Sequence, residues 1–330
     1  MISIVIPVYN SEDFLGVLYN SLINQTFKDF EVIFIDDGSI DKSLLILEGF
    51  QEEEKINIKI LKQENKGPSC ARNEGIKVAK GKWICFIDSD DFISSEYLYT
   101  MMNDLLDTNA DLAVCYINPF TEHKNIKQPN DGGVGIGQVQ YKNEVMKGFL
   151  YNKLKISITA ILIDKKIIVE NNIMFNELYK HSEDTEFIWK VLSNTNKIVI
   201  NKAALYFYRL REGSLTTSFS ADNLKGIELI DNLIEYIELH SPEVSHEFSS
   251  FATANARIYK LKEAVLGSDS YKDFKSYEEL IEGKRYVKRL FKFPLMKVKL
   301  MSILYYSSSF SFYWIVKIFY YKSIKKGVDS

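Results

Sequence analysis

The chain has 330 residues and a formal net charge of −3, with 46% apolar and 26% charged residues. These proportions are ordinary for a folded soluble protein, and the length suffices for one large domain or two modest ones. The cysteines at positions 70, 85 and 115 have no paired spacing, and the four histidines form no ligand motif. These spacings argue against a disulfide framework and a zinc enzyme, and they predict reduced thiols in a cytoplasmic protein.

Apolar runs alternate with helical patterns through the first part of the chain. Strands are predicted at Ile2–Pro7, Phe30–Ile35, Ile56–Leu61 and Trp83–Ile87, and helices from about Ser11, Asp41, Ser69 and Glu96. We expect Ser11 to cap the first helix. We also expect no signal peptide, because a strand is predicted to begin at Ile2. Strands that alternate with helices of ten to fifteen residues indicate βαβ units and a mostly parallel sheet.

Further elements are predicted beyond residue 110. The strands are Asp111–Ile117, Ile158–Ile163, Lys197–Ile200 and Ala203–Tyr208, and the helices are Asn143–Tyr151, Asp164–Asn171, Glu183–Leu192 and several from Asp222 onward. The polar, glycine-rich stretch 118–138 predicts a mobile loop, because it cannot bury enough apolar surface to fold by itself. Its glycines lack the Gly-Lys-Ser/Thr ending of a phosphate loop.

The sequence KWICFIDSDDF at 82–92 is the most informative stretch. An apolar run from Trp83 to Ile87 reads as a buried strand, and Asp88, Asp90 and Asp91 follow it. In an extended chain Asp88 and Asp90 point to the same side, where a hard divalent ion would offset their repulsion. The alternative is an acidic turn that caps the next helix.

Polar residues also follow the first two predicted strands, at the same sheet edge. They are Tyr9 after the first strand and the pair Asp36 and Asp37 after the second. Lys66 and Arg72 lie around a predicted helix start, where backbone N–H groups favour an anionic ligand. Each residue taken alone is more often part of a turn or a solvated surface, so the convergence at one edge carries the interpretation.

Four segments occur in an order and spacing that resemble the family 2 inverting glycosyltransferases with the GT-A fold. They are IVIPVYNSEDFL, FIDDGSID, NKGPSCARNEGI and FIDSDDF, and the resemblance extends from Ile2 to about Ser218. It implies a Rossmann-like α/β sheet flanked by helices and a nucleotide-sugar donor, expected to be a UDP-sugar. The implied donor contacts are Pro7, Val8, Tyr9, Glu12, Asp36 or Asp37, Lys66 and Arg72.

The resemblance also assigns the acidic motif after the fourth strand. It implies that Asp90 holds a metal ion on the diphosphate and that Asp88 contacts the ribose or donor sugar and helps to bind the metal. Ser89 and Asp91 are further expected substrate contacts. The implied cofactor is Mn²⁺ or Mg²⁺.

Glu183 and Asp184 open a helix with a clear apolar face. Taken alone, they are as well explained as an acid-rich helix start. Members of the family carry an acidic pair at this point, and the resemblance implies that Asp184 is the catalytic base with Glu183 beside it. A carboxylate suits this task because the attacking hydroxyl must lose its proton.

The segment 208–216, YRLREGSLT, resembles the part of the family that covers the diphosphate. Arg211 and Ser214 are the candidates there, since a guanidinium and a hydroxyl can both neutralise phosphate charge. Some relatives have a histidine in this segment as a third metal ligand, and this chain has none. The expected reaction is a single displacement that inverts the anomeric centre, with the metal ion offsetting charge on the leaving diphosphate.

The C-terminal segment is basic and aromatic. From Lys284 onward it contains eleven basic residues and one acidic residue, a net charge of about +10, so the rest of the chain carries about −13 of the total of −3. Residues 289–321 predict a helix that lies in a membrane interface, with a membrane span, a packed helical subdomain or a dimer contact as alternatives. No segment resembles a nucleic-acid module.

These observations predict a catalytic GT-A domain over residues 1–218 and a helical region over 219–330. The expected enzyme transfers a hexose or N-acetylhexosamine to a surface glycan or a lipid-linked saccharide at the inner face of the membrane, and a homo-oligomer is an expected assembly. One alternative is a non-catalytic nucleotide-sugar-binding partner subunit of a related transferase. Another is a nucleotidyltransferase, which usually has a basic, glycine-rich loop where this chain has VYNSEDF.

Overall fold

The structure is a computed structural model that describes residues 1–121, 135–179, 181–210 and 221–328, with only the backbone at 221, 222 and 320–328. The chain divides into two compact units. The first consists of Met1–Val145, Ile156–Leu178 and Glu183–Arg211, and the second of Met146–Lys155, Tyr179–Ser182 and Glu212–Ser330. The predicted domain boundary at residue 218 lies outside the described residues. The sequence did not predict that two earlier segments belong to the second unit.

The strands of the described residues form one sheet of nine in the first unit. They are β1 Ile2–Val8, β2 Phe30–Asp36, β3 Asn57–Lys62, β4 Trp83–Phe86, β5 Phe92–Ile93, β6 Leu112–Phe120, β7 Gln138–Tyr141, β8 Ile161–Asp164 and β9 Lys197–Arg209. Their order is β3-β2-β1-β4-β8-β6-β9-β5, with β7 paired to β9. The first four strands are parallel, as predicted, while β8 runs antiparallel to both of its neighbours.

Helices cover the sheet and form the second unit. They are α1 Leu15–Ile23, α2 Ser43–Glu52, α3 Pro68–Val78, α4 Tyr97–Thr108, α5 Lys142–Leu150, α6 Lys165–Glu170, α7 Glu183–Ser193, α8 Lys225–His240, α9 Pro242–Gly267, α10 Tyr271–Ile281, α11 Gly283–Tyr286, α12 Met296–Ser307 and α13 Ser309–Val328. Every residue of β1 and β2 is buried, as expected for strands with helices on both faces. The α/β fold and the helical C-terminal region are therefore confirmed.

The structure corrects four local predictions. Helix α1 begins at Leu15 without a side-chain cap, so Ser11 is not its N-cap. β6 continues through Phe120, so the first residues of the predicted loop at 118–138 belong to a strand. Residues 122–134 of that loop lie outside the described part of the chain. β9 is one continuous strand where two were predicted. The short strands β5 and β7 were not predicted, because both depend on long-range pairing with β9.

The second unit has its own apolar core. Buried side chains of α9, α10, α12 and α13 meet there, among them Phe274, Tyr305 and Phe312. The apolar stretch at 300–321 is not one helix, since the chain leaves the helical conformation at Ser308 between α12 and α13. Among the described residues, no helix has both the length and the apolar composition needed to cross a membrane.

Candidate active site

The candidate site lies where β1, β2 and β4 end. Val8 at the end of β1 pairs with Asp36 at the end of β2, and the Asp37 N–H donates to the Val8 carbonyl at 2.8 Å. β4 runs parallel on the other side of β1 and leads into Asp88. Because the carboxyl ends of parallel strands share one edge, the polar residues after all three strands converge, as the sequence predicts.

Asp37 orders the loop that precedes α3. One of its carboxylate oxygens accepts hydrogen bonds from the Gln63 side chain at 2.7 Å and the Lys66 backbone N–H at 2.8 Å. The other accepts from the Gly67 N–H at 2.8 Å. Gly67 has φ of 90°, a conformation that favours glycine, so the loop turns sharply into the first turn of α3. The Lys66 side chain is exposed beside this loop.

Asp36 is buried next to Asp37 and differs from it in its hydrogen bonding. Its Oδ1 is buried and accepts no hydrogen bond from the described residues. A buried carboxylate oxygen without a donor is costly, and an incoming N–H or O–H group would satisfy it. That either Asp36 or Asp37 contacts the nucleobase stays a prediction. Of the two, Asp36 has the carboxylate oxygen that accepts no hydrogen bond from the described residues.

The remaining residues of the first motif form the rim of the site. Pro7 and Val8 are buried within β1, whereas Tyr9 directly after them is 47% exposed. Glu12 is exposed, and its carboxylate accepts a hydrogen bond of 2.9 Å from the Lys42 N–H just before α2. Glu12 therefore also fixes the loop that follows β2.

The chain turns directly after β4. The Asp91 N–H donates to the Asp88 carbonyl at 3.1 Å, so residues 88–91 form a turn and not the extended segment that the sequence predicted. Asp88, Ser89 and Asp90 are half-buried at the surface of the site. The Ser89 hydroxyl lies 2.7 Å from the hydroxyl of Ser11, which joins this turn to the segment after β1.

Asp91 supports this turn from inside the protein. It is 1% exposed, and its carboxylate accepts hydrogen bonds from the Tyr206 hydroxyl at 2.6 Å and the Arg209 N–H at 2.7 Å. Burial, followed by the charges of Asp88 and Asp90, raises the pKa of Asp91 to about 8. The prediction that Asp91 contacts the substrate finds no support in this position, which is that of a positioning residue.

Tyr206 and Arg209 hold the turn at 88–91, and the sequence analysis did not identify them. The Asp88 N–H donates to the Tyr206 hydroxyl at 3.2 Å, and Arg209 Nε donates to the Asp90 carbonyl at 2.8 Å. Both residues belong to β9, which reaches the turn through its antiparallel pairing with β5. The signal available in the sequence was weak, since a tyrosine in an apolar strand ordinarily only packs.

Arg72 connects the turn after β4 with the start of α7. Its guanidinium donates to Asp88 Oδ1 at 2.8 Å and to Asp184 Oδ1 at 3.1 Å. The Arg72 side chain is only 5% exposed, whereas those of Asp88 and Asp184 are 31% and 41% exposed. Burial lowers the pKa of Arg72, but the charges of Asp184 and Asp88 outweigh it and raise the pKa above its ordinary value. Arg72 therefore stays cationic.

The residues around Arg72 hold it in place. Its guanidinium carbon lies 5.3 Å from the ring centroid of Phe175. The adjacent Asn73 donates to the Phe175 carbonyl at 2.9 Å and accepts from the Phe175 N–H at 2.8 Å. These contacts tie α3 to the segment after α6, so the position of Arg72 is defined from both sides.

Glu183 and Asp184 have different environments within the first turn of α7. Glu183 is buried, and burial together with the charge of Asp184 raises its pKa to about 7. Removal of water by the surrounding protein also raises the pKa of Asp184, although Arg72 opposes this shift. Asp184 is the member of the pair that reaches solvent, which is the position a base needs to meet a hydroxyl.

Two carboxylates at this edge suit a divalent cation. Among the residues that the structure describes, no three His, Cys, Asp or Glu side chains cluster as metal ligands. Asp88 and Asp90, however, are half-buried carboxylates at the surface of the site, and Mg²⁺ is commonly held by one or two carboxylates together with substrate phosphates. The donor set therefore fits a hard cation that a diphosphate helps to coordinate. Arg211 and Ser214, the predicted diphosphate contacts, lie outside the described residues.

Comparison with known proteins identifies the family. Residues 3–169 match the model of glycosyl transferase family 2, and the chain belongs to this family. Glycosyltransferase GlyA of Streptococcus pneumoniae is 28% identical over 293 residues, which cover 85% of this chain and 41% of GlyA. Poly(ribitol-phosphate) beta-N-acetylglucosaminyltransferase TarS of Staphylococcus aureus is 30% identical over 283 residues, which cover 79% of this chain and 46% of TarS.

A solved structure establishes the fold class. The crystal structure of S. aureus TarS 1–349 in complex with UDP-GlcNAc superposes with a TM-score of 0.65 at 23% identity, covering 98% of this chain and 92% of that one. This similarity confirms the GT-A fold. The chain spans less than half the length of the two curated relatives, GlyA and TarS.

Proposed function

We propose that the protein is an inverting glycosyltransferase that moves a sugar from a UDP-sugar to a hydroxyl group of its acceptor. The observation that carries the proposal is the bridge from Arg72 to Asp88 and Asp184, because it joins the motif expected at the donor to the expected base. The complex of TarS with UDP-GlcNAc supports a UDP-sugar as donor. An N-acetylhexosamine or a hexose are the sugars to test.

The proposed reaction is a single displacement at the anomeric carbon. The acceptor oxygen forms a bond to C1 while the bond from C1 to the diphosphate oxygen breaks, and UDP leaves with that electron pair. The hydroxyl proton passes to Asp184, whose side chain is accessible and whose raised pKa makes it a stronger base than an ordinary aspartate. Attack from the side opposite the leaving group inverts the anomeric centre.

Glu183 has a supporting role in this proposal. It is buried beside Asp184, and burial followed by the charge of Asp184 raises the pKa of Glu183 to about 7. Arg72 opposes the effect of burial on Asp184, because its positive charge lowers the pKa that burial raises. Burial and Arg72 thus shift the pKa values of the pair in opposite directions.

The donor would lie along the carboxyl ends of β1, β2 and β4. Pro7, Val8 and Tyr9 would border the nucleotide, and Asp36 or Asp37 would accept a hydrogen bond from the uracil. Lys66 extends from the loop that Asp37 orders, on the side of the site where α3 begins. A cation at this position would attract the diphosphate.

Asp88 and Asp90 would hold Mn²⁺ or Mg²⁺. When bound, the ion would offset the charge that develops on the leaving diphosphate. The chain itself contributes the turn at 88–91, whose shape is fixed by the hydrogen bonds of Asp91 to Tyr206 and Arg209. A preorganised turn keeps both carboxylates in position without further rearrangement on binding.

The acceptor proposed is a surface glycan or a lipid-linked saccharide. The name of TarS as a poly(ribitol-phosphate) beta-N-acetylglucosaminyltransferase supports a polymer as the acceptor. Work on such an acceptor suits a protein at the inner face of the cell membrane, and the basic C-terminal segment suits peripheral contact with anionic lipid. We also propose that the protein forms a homo-oligomer.

The test is hydrolysis and transfer with a panel of UDP- and GDP-sugars in Mn²⁺, Mg²⁺ or EDTA. We expect release of UDP from one donor that depends on the metal, and its loss in Asp90→Ala. Asp184→Asn should bind UDP with the affinity of the wild type but lose turnover. If Asp184→Asn keeps full turnover, the assignment of the base is wrong. If no nucleotide sugar stabilises the protein and none is cleaved, the transferase proposal fails.

A further inference from the structure

Helix α13 has two apolar faces. One is packed in the core of the second unit, and the other is partly exposed, although its Phe310 ring lies 5.1 Å from the ring of Tyr271. Phe312 and Tyr313 are buried in the core of the second unit. On the opposite half of the helix lie Phe310, Trp314, Ile315, Ile318 and Phe319, which we call the α13 outer face. These side chains are between 38% and 69% exposed. Residues at intervals of three and four share one side of a helix, so the outer face is a continuous apolar surface.

The packed side fixes the rotation of α13, so the outer face cannot turn inward. The Tyr313 ring lies 5.5 Å from Tyr271, and the Phe312 ring lies 6.5 Å from Phe274. Lys317 Nζ donates to the Ser268 carbonyl at 2.7 Å, at the end of α9. Lys317 therefore binds the protein and is not one of the lysines available to a membrane.

The charge of the segment that contains the outer face favours one kind of partner. Over residues 284–319 the sequence contains eight basic residues and no acidic residue. Lys288, Lys292 and Lys297 are exposed, and Lys288 Nζ lies 4.7 Å from the ring centroid of Tyr306 on α12. A second copy of the chain would bring like charges together, whereas anionic lipid headgroups would neutralise them.

We propose that the α13 outer face lies in the interface of a bilayer that carries anionic lipid. Its aromatic and aliphatic side chains enter the boundary between headgroups and acyl chains, with α13 parallel to the membrane plane. The exposed lysines before and within α12 contact the headgroups. This inference assigns residues to the membrane contact of the proposed function and requires nothing of the transfer chemistry.

The tryptophans of the chain provide a direct measurement. Of the three, Trp83 and Trp189 are each 5% exposed and Trp314 is 49% exposed. We would mix the purified full-length chain with vesicles of phosphatidylcholine alone or with added phosphatidylglycerol. We expect flotation with the anionic vesicles, a blue shift of tryptophan emission, and quenching by lipids brominated near the headgroup end of the acyl chain. Phosphatidylcholine alone should bind weakly.

Two variants separate the contributions while keeping Trp314 as the reporter. The double variant Phe310→Ser with Ile318→Ser should weaken vesicle binding by about tenfold or more, since it removes two apolar side chains that would enter the bilayer. Lys288→Glu with Lys297→Glu should remove the preference for anionic lipid. The control is Leu239→Ser with Leu280→Ser, which changes two still more exposed apolar residues outside the face and should leave binding unchanged.

The outcomes are decisive for the proposal. Equal binding by the wild type and the Phe310→Ser, Ile318→Ser variant, or no quenching of Trp314 by brominated lipid, overturns it. So does a wild-type dimer in sedimentation that the same variant dissociates, because the occupant is then a second copy. Hydrolysis of a UDP-sugar without vesicles should be equal in all of these variants. Asp184→Asn should lose hydrolysis and keep vesicle binding, so failure of one proposal is distinguishable from failure of the other.

Discussion

Arg72 donates a hydrogen bond of 3.1 Å to Asp184 although 112 residues separate them in the sequence. The same guanidinium donates to Asp88 at 2.8 Å. A planar group with several N–H donors can hold two carboxylates in a fixed relation, which a lysine ammonium cannot do as well. The distance between the donor site and the expected base therefore depends on one side chain.

Arg72→Lys should keep the charge of the site and lose its geometry. We expect kcat for donor hydrolysis to fall by about 10- to 100-fold, because small displacements of catalytic groups have effects of this size. Arg72→Met should in addition destabilise the fold by about 1–3 kcal/mol, less than for a fully buried pair since both carboxylates are partly exposed. Steady-state kinetics and urea unfolding measure the two effects.

Arg257 in the second unit provides the control for this prediction. It is also buried and donates to both oxygens of Asp231, at 3.1 and 2.8 Å. Arg257→Lys should lower the free energy of unfolding about as much as Arg72→Lys does, without changing kcat. If both lysine variants reduce kcat equally, the effect reflects general destabilisation and the role assigned to Arg72 is wrong.

The pH dependence of the reaction should report the acidic pair. A base must be deprotonated to act, so the rate should fall as the pH falls through the pKa values of the pair. Glu183, with its pKa raised to about 7, places that decline near neutral pH. In Glu183→Gln the group whose pKa is raised to about 7 no longer titrates, so the decline should move to lower pH. Profiles of kcat/KM between pH 5 and 9 test this.

The stability of the protein should change with pH in the opposite sense. The folded-state pKa of Glu183 lies above its ordinary value of 4.5, so the folded state binds more protons than the unfolded state between these two values. The contribution of Glu183 to stability is therefore favourable at low pH and is lost as the pH rises toward about 7. Urea unfolding of wild type and Glu183→Gln across this range should show a smaller decline in the variant. A decline of equal size would mean that Glu183 is not the titrating group.

Local patterns were sufficient to predict the first half of the sheet and the convergence of its polar ends. Asp36, Asp37 and Asp88 follow apolar runs, and the rule that parallel strands share a carboxyl edge brings them together. The turn after Phe86 was not predictable, because it depends on hydrogen bonds from Tyr206 and Arg209 more than 100 residues later. A sequence pattern predicts contacts between residues that are close in the chain. The contacts of Tyr206 and Arg209 with this turn depend instead on the pairing of β9 with β5, which the sequence pattern did not predict.

Tyr206→Phe should test the support of this turn. The change removes the hydroxyl that donates to Asp91 Oδ2 and accepts from the Asp88 N–H, so both hydrogen bonds are lost, while Asp91 keeps the one from the Arg209 N–H. We expect a loss of about 1–3 kcal/mol in the free energy of unfolding and weaker metal-dependent binding of UDP. Calorimetry of UDP binding with and without Mn²⁺ measures the second effect.

Tyr97→Phe is the matched control for Tyr206→Phe. Tyr97 is also fully buried, and its hydroxyl donates to the Thr159 carbonyl at 3.2 Å, outside the turn at 88–91. It should lose stability to a comparable degree while the effect of Mn²⁺ on UDP binding stays that of the wild type. A normal metal effect in Tyr206→Phe would show that the turn keeps its shape without the hydroxyl.

Gly75 should tolerate no side chain, because α3 packs closely on the sheet at this point. A Cβ atom there would lie 2.3 Å from Val5 Cγ1 and 3.1 Å from Ile35 Cδ1, and both residues are completely buried. Gly75→Ala should therefore destabilise the protein by about 1–3 kcal/mol, because either α3 or the side chains of Val5 and Ile35 must move to make room for the added Cβ. Because Arg72 lies on the same helix, kcat should fall as well.

Gly49→Ala gives the opposite expectation for the same substitution. Gly49 lies within α2 with nothing within 4 Å of an added Cβ, so alanine should raise stability by about 0.5–1 kcal/mol through its higher helix propensity. The two variants thus differ in sign for a physical reason, the presence or absence of Val5 beneath the helix. Thermal unfolding distinguishes them directly. If Gly75→Ala proved as stable as Gly49→Ala, α3 would have to be able to shift away from β1, and the position of Arg72 would not be rigidly fixed by packing.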